Sequence, residues 1–226
     1  DRKAFIDILS EGQNVQGGAM MPPPSGVWGM PPEFLKTVAG YSSDVAGNRA
    51  KARKIMESLG YGPDNKLKVK VSTRNIAVYR DPAVILIDHM KEIYIDATLD
   101  TVETSNWHAK VARKDYMVGL NLTGIGVDDP DANFYENYSC GSQRNYTGYC
   151  KPEMEALFEK QSMMEDQAAR KKLVWEIDKK LQEDAARPMI MHGKAAQCWQ
   201  PYVKGFVTHV NSIYSNWRME DVWLDK

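Results

Sequence analysis

Between Asp44 and Gly124 the chain alternates segments of helical and strand periodicity, and this alternation restricts the fold more than any other feature. DVAGNRAKARKIMESLG presents Ala46, Ala50, Ile55, Met56 and Leu59 along one helix and stops at Gly60. KLKVKVSTR then alternates Leu67, Val69 and Val71 with lysines, the period-two pattern of a strand with one wet face. A second helix is expected over Pro82 to Glu92, with Asp81 as cap, Pro82 in the first turn and Val84, Ile85, Leu86, Ile87 and Met90 supplying its apolar side. IDATLDTVE reads as another strand, SNWHAKVARKD as a short helix and YMVGLNLTG as a third strand. The order β-α-β-α-β requires a sheet with crossover helices, hence an α/β fold.

The flanks differ in character. DRKAFIDILSEG carries Phe5, Ile6, Ile8 and Leu9 at helical spacing. It starts at Asp1 with neither an initiator Met nor a leader, and is read as the start of a mature protein or of a fragment, the bare helix start favouring a fragment. Gly12 to Phe34 is rich in Gly and Pro, and Pro22 to Pro24 remove backbone donors, so an extended loop on the surface or across a cleft is expected, pinned by Trp28 and Met30. KPEMEALFEKQ is a helix with Met154, Leu157 and Phe158 inward. In DQAARKKLVWEIDKKLQEDAA, Leu173, Val174, Ile177 and Leu181 form one stripe, while Lys171, Lys172, Lys179 and Lys180 alternate with Glu176, Asp178 and Glu183 on a solvated face. RPMIMHG is expected as a short strand, followed by aromatic-rich irregular segments.

Composition excludes several classes of partner. With 29 basic against 30 acidic residues there is no broad electrostatic footprint for nucleic acid or anionic lipid. The longest apolar patch, Ala83 to Ile87, is far below the roughly 20 residues of a membrane-spanning helix. The histidines, His89, His108, His192 and His209, stand singly, without the spacing of a zinc site. No nucleophile elbow, phosphate loop or dinucleotide fingerprint occurs. Asp129, Asp131 and Asn133 imitate the start of a calcium loop, but Phe134 stands where its glycine belongs and Cys140 where its glutamate belongs. No cofactor, metal or catalytic set is therefore expected. Cys140 and Cys150 bracket a turn-rich loop, and a disulfide is the simplest reading, with two free thiols as the alternative. Cys198 is read as a small buried apolar residue.

Several ordered motifs agree with one family. DRKAFIDILSEGQ, the SGVWGMPP loop, NRAKARKIMESLGY, DDPDANFYENYSCGSQRNYTGYCKPEMEALF and the closing PYVKGF and EDVWLD together resemble the family 5 extracellular solute-binding proteins. These are the peptide/nickel-type periplasmic receptors of ABC importers, close to the dipeptide- and oligopeptide-binding proteins. The resemblance runs from end to end of the chain, but over the carboxy-terminal half of such a receptor. It implies a periplasmic-binding-protein-like fold (type II, cluster C), with a mixed sheet flanked by helices. Residues 1–199 would form the second lobe, and residues 200–226 a hinge crossover and a segment returning to the first lobe, the crossover falling near Gln197 to Tyr202. The aromatics Tyr202, Phe206, Trp217 and Trp223 would then lack their natural partners. The implied role is capture of a small solute and its delivery to membrane permease subunits by an exported, periplasmic or extracellular receptor, monomeric and peripheral to the membrane.

The same resemblance implies a site. Peptide-binding relatives hold the ligand ammonium with an Asp four residues before the Pro of the acidic turn; here Gly126 takes that place before Pro130. They also carry an Arg after a strand for the ligand carboxylate, and Arg74 falls at a comparable position, with a surface salt bridge as its alternative. An aromatic residue expected before the turn falls near Thr123. Ligand contacts are thus expected from Arg74, Trp107, Thr123, Gly124, Gly126, Asp128 and Tyr135, with Trp28 and Trp199 at the cleft edge. Trp107 could equally be core, Asp128 could bond turn amides, and the glycines could serve backbone geometry alone. Loss of the ammonium anchor points to an organic acid, a modified amino acid or another non-peptide solute. The rival readings are a ligand-sensing or protein-interaction module on this fold, and a hydrolase using Asp128 or Asp129 as base.

Overall fold

The computed structural model describes residues 1–124, 127–194, 196–207 and 219–226. Helix α1 (Arg2–Ser10) is capped by Asp1, which accepts from the Ala4 amide. A long connection leads to the single turn α2 (Pro32–Leu35) and then α3 (Val45–Ser58), capped by Asp44. The α/β unit follows as β1 (Leu67–Arg74), α4 (Ala77–Lys91), β2 (Ile95–Val102), α5 (Thr104–Ala112) and β3 (Val118–Gly119). Its strands pair in the order β2-β1-β3, parallel throughout, so the crossover helices demanded by the sequence are present. Val71, Ala83, Ala97 and Leu120 form its core, with Leu86, Ile87 and Met90 of α4 packed against them.

The second half is helical: α6 (Pro130–Asn137), α7 (Pro152–Ser162) and α8 (Gln167–Glu183). Met154 and Phe158 of α7 and Val174, Ile177 and Leu181 of α8 meet Phe134 and Tyr138 in the largest core cluster. Short strands β4 (Val203–Lys204) and β5 (Trp223–Leu224) pair antiparallel, and Trp223 and Leu224 are exposed there. Cys140 and Cys150 are joined by a disulfide. Closing a loop of this length contributes somewhat under about 3 kcal/mol in the chain-entropy model. Reduction is accordingly expected to lower the thermal midpoint by several degrees, read by calorimetry with and without dithiothreitol.

Several local expectations are corrected. Helix α4 starts five residues before Pro82, which lies buried inside it. The Ile76 carbonyl accepts from Tyr79 and Arg80, so the first turn closes before the proline is reached. Along α3, Met56 alone is buried, while Ile55 and Leu59 are 60% and 65% exposed. The Gly12–Phe34 connection is pinned by Trp28 and Met30 as expected, with Pro23, Pro24 and Val27 exposed, but the rest lies deeper than a surface loop: Gly17 to Met20 are buried, with the Ala19 and Met20 amides bonded to Asp178 of α8. The segment after Asp129, which the sequence marks only as an acidic turn and an imitation of a calcium loop, is a helix. Asp178, placed on a solvated face, is 1% exposed. RPMIMHG forms only a bridge between His192 and Val15, and Cys198 is exposed.

Candidate functional site

Because the three strands are parallel, their carboxyl ends share one edge of the sheet. In open α/β sheets ligands bind outside that edge. Arg74 ends the central strand there. The Leu120 amide donates to Ser72 O, and Thr73 Oγ1 donates to Leu120 O at 2.9 Å, so the chain leaving β3 toward Thr123 and Gly124 is tied to the end of β1. Thr123 is exposed and Gly124 half-buried, whereas Gly126 lies outside the described residues.

The guanidinium of Arg74 is half-buried and has no carboxylate partner among the described residues. Its Nη1 donates to the Tyr79 hydroxyl at 3.2 Å, its Nη2 lies 2.8 Å from His108 Nε2, and its Nε is buried without a partner. The Tyr79 ring also lies beneath the guanidinium carbon at 4.8 Å. Both neighbours went unread in the sequence. Tyr79 is one helical turn into α4, and His108 reaches across from α5, where nothing but its adjacency to Trp107 marked it.

The acidic turn is occupied by structural bonds. Asp128 Oδ2 accepts from the Val27 amide at 2.8 Å and its carbonyl accepts from the Trp28 indole at 2.8 Å, leaving Oδ1 buried without a partner. Asp129 caps α6 and receives both terminal nitrogens of Arg170 at 3.2 and 3.0 Å. Asp131 takes Ser162 Oγ at 2.6 Å and a short bond from Gln161. These carboxylates tie the acidic turn to the rest of the helical half, with Asp129 and Asp131 bonded and Asp128 Oδ1 alone of their oxygens buried and unbonded. Among the described residues, no three His, Cys, Asp or Glu side chains gather as a metal requires.

The aromatic candidates fall in different environments. Trp28 is 7% exposed, a core residue under Arg170 at 4.7 Å rather than an edge aromatic. Trp107 is 1% exposed, with its indole N–H unpartnered. Tyr135 is partly exposed on α6 with its edge against Phe158, and burial followed by the charges of Asp131 and Glu159 raises its hydroxyl pKa. Trp199 is half-exposed and packs on Phe206 at 4.8 Å. The fold thus joins Trp28 to Asp128 and gathers Arg74 with Tyr79 and His108, while Trp199 lies in the segment after α8.

The sequence model of the bacterial extracellular solute-binding proteins, family 5 Middle, matches residues 1–145. No curated protein matches. Among solved structures, OppA of Burkholderia pseudomallei superposes with a TM-score of 0.80 at 20% identity, over 100% of this chain and 44% of its own. OppA of Haemophilus influenzae, in complex with the peptide RPPGFSPFR, gives 0.77 at 18% identity over 100% and 43%. DppA of Helicobacter pylori, in complex with the peptide STSA, gives 0.74 at 18% over 100% and 42%. The chain therefore spans less than half the length of these structures, and at such identities they establish the fold alone.

Proposed function

Because the chain belongs to the bacterial extracellular solute-binding proteins of family 5, we propose that it supplies one wall of a receptor that closes on a small solute and delivers it to an ABC permease. Residues 1–199 form the lobe that holds the site, and residues 200–226 cross back toward the other lobe. The receptor works outside the cytoplasmic membrane, as a monomer, and capture is non-covalent: closure shifts the open-to-closed population as the ligand bridges the walls.

One observation carries the ligand class. Arg74 ends the central parallel strand, and among the described residues its guanidinium is bonded to Tyr79 and His108 and to no carboxylate. A half-buried cation without a counter-ion among the described residues favours an anionic guest, and the planar fork suits a carboxylate. Relatives are solved with peptides, but Gly126 offers no carboxylate for a free ammonium. The solute is therefore a small organic acid or an amino acid derivative blocked at its amine. The test runs on the two-lobed receptor carrying this chain: a thermal-shift screen of carboxylates, then titration of Arg74→Ala with the best ligand. Affinity is expected to fall about 10- to 100-fold, one lost charge-assisted bond pair. Tight capture of unblocked di- or tripeptides would falsify the ligand class.

A further inference from the structure

The contact between Arg74 Nη2 and His108 Nε2 constrains the tautomer of the histidine. A guanidinium is always charged and only donates, so Nε2 at 2.8 Å accepts and the imidazole is neutral with its proton on Nδ1. That contact also falls on a particular edge. Nε and Nη2 form one of the two edges at which a guanidinium receives a carboxylate through two parallel bonds; the other, Nη1–Nη2, already has Nη1 bonded to Tyr79. On the Nε–Nη2 edge Nη2 is taken by His108, and Nε is buried without a partner. His108 itself is exposed and free to leave.

We propose that His108 is a specificity-determining residue of the Arg74 site: as neutral imidazole it occupies the carboxylate-binding edge, and as imidazolium it releases that edge and joins Arg74 in holding the anion. The inference rests on the Arg74 anchor described above and adds its regulation by pH. An imidazolium has no lone pair for Nη2 and repels the guanidinium, so protonation ends the contact; a carboxylate placed between the two cations removes the repulsion. The charged and titratable neighbours agree with this assignment. Arg74 comes from β1, Tyr79 from α4, and Glu103 at the head of α5 is turned to Asn75 at 3.3 Å. On α5 itself, Lys110 and Arg113 are drawn to Asp115, and Lys110 also to Asp100. No carboxylate is bonded to His108 among the described residues, so an external anion supplies the missing charge. Anion capture then strengthens on acidification.

The test follows the histidine ring nitrogens of the isotope-labelled 226-residue chain by magnetic resonance from about pH 8 to about pH 5.5, in acetate or in chloride at equal ionic strength. Expected are the Nδ1–H tautomer of His108 at the alkaline end and a titration midpoint that acetate raises by about one unit. This shift corresponds to roughly tenfold tighter binding to the imidazolium form. Arg74→Ala should abolish both, and His108→Gln, which keeps an acceptor for Nη2 but cannot be protonated away from it, should bind acetate weakly and without pH dependence. An Nε2–H tautomer at alkaline pH overturns the proposal, as does an equal shift in chloride. If acetate moves the Arg74 guanidinium signals while the His108 midpoint stays fixed, the regulation fails and solute capture stands. If acetate moves neither, the carboxylate anchor fails with it.

Discussion

Replacing Asp178 by alanine is expected to destabilise the fold by about 3 to 4 kcal/mol, because it removes the acceptor for several buried donors at once. Asp178 Oδ1 accepts from the Ala19 amide at 2.7 Å and from Gln182 Nε2 at 3.1 Å, and Oδ2 accepts from the Met20 amide at 3.4 Å. A buried N–H left without a partner costs about 1 to 3 kcal/mol, and Asp178 is 1% exposed. The approach is so close that a Cβ on Gly18 would stand 2.3 Å from Oδ2, so only glycine passes there. Burial raises the carboxyl from 3.8 to about 6, against the pull of the Ala19, Met20 and Gln182 bonds. A raised acid binds its proton more tightly in the folded state. Its contribution is therefore greatest below the unfolded value, declines as pH rises toward about 6, and is constant beyond. The decline amounts to about 3 kcal/mol at most for a shift of this size. Asp178→Asn keeps one acceptor and carries no charge, so its urea midpoint should lack that slope while staying well above that of Asp178→Ala. An Asp178→Ala midpoint equal to wild type across this range would remove the clamp from the account of stability.

What could be read in the sequence was what short-range periodicity encodes. The β-α-β-α-β order held because each element announces itself within about ten residues: alternating lysines in β1, heptad-like spacing in α8. Helix α6 stayed hidden because its Asp, Asn and aromatic residues have the composition of a loop, although Asp129 and Pro130 form the same cap-and-proline pair wrongly assigned at Asp81 and Pro82. Asp178 was unreadable for another reason. It sits among alternating charges, and its burial is decided by a loop 159 residues earlier in the chain. The site divides in the same way. Arg74 could be placed because strand ends are visible, but its partners Tyr79 and His108 come from different helices and depend on how those helices pack. Trp28 and Trp107 show the converse limit: each had both a core and a ligand-facing reading in the sequence, and only tertiary structure shows that the side chain is covered.

Trp28 supplies the second large effect, and it separates stability from recognition. Its indole N–H donates to the Asp128 carbonyl at 2.8 Å, its ring lies under Arg170 at 4.7 Å, and its own carbonyl accepts from Trp175 at 3.0 Å. Truncation to alanine keeps the carbonyl but removes the ring from the cluster that holds Phe134, Phe158 and Ile177. A buried Trp→Ala change costs about 3 to 5 kcal/mol, and Trp28→Phe, which keeps most of the packing, should lose only about 1 to 2. The Arg170 guanidinium stays paired with Asp129 in both variants, so the loss is one of packing rather than of charge. If Trp28 instead lined the solute cleft, the pattern would invert, with a large drop in solute affinity and a nearly unchanged urea midpoint. Measured together on the two-lobed receptor, the midpoint and the affinity decide between these roles. The core assignment also requires Trp28→Ala and Arg170→Ala to be non-additive by roughly 1 kcal/mol, since the two side chains stack directly. Strict additivity would mean that the ring and the guanidinium stabilise the acidic turn independently, leaving Asp128 and Asp129 as two separate anchors.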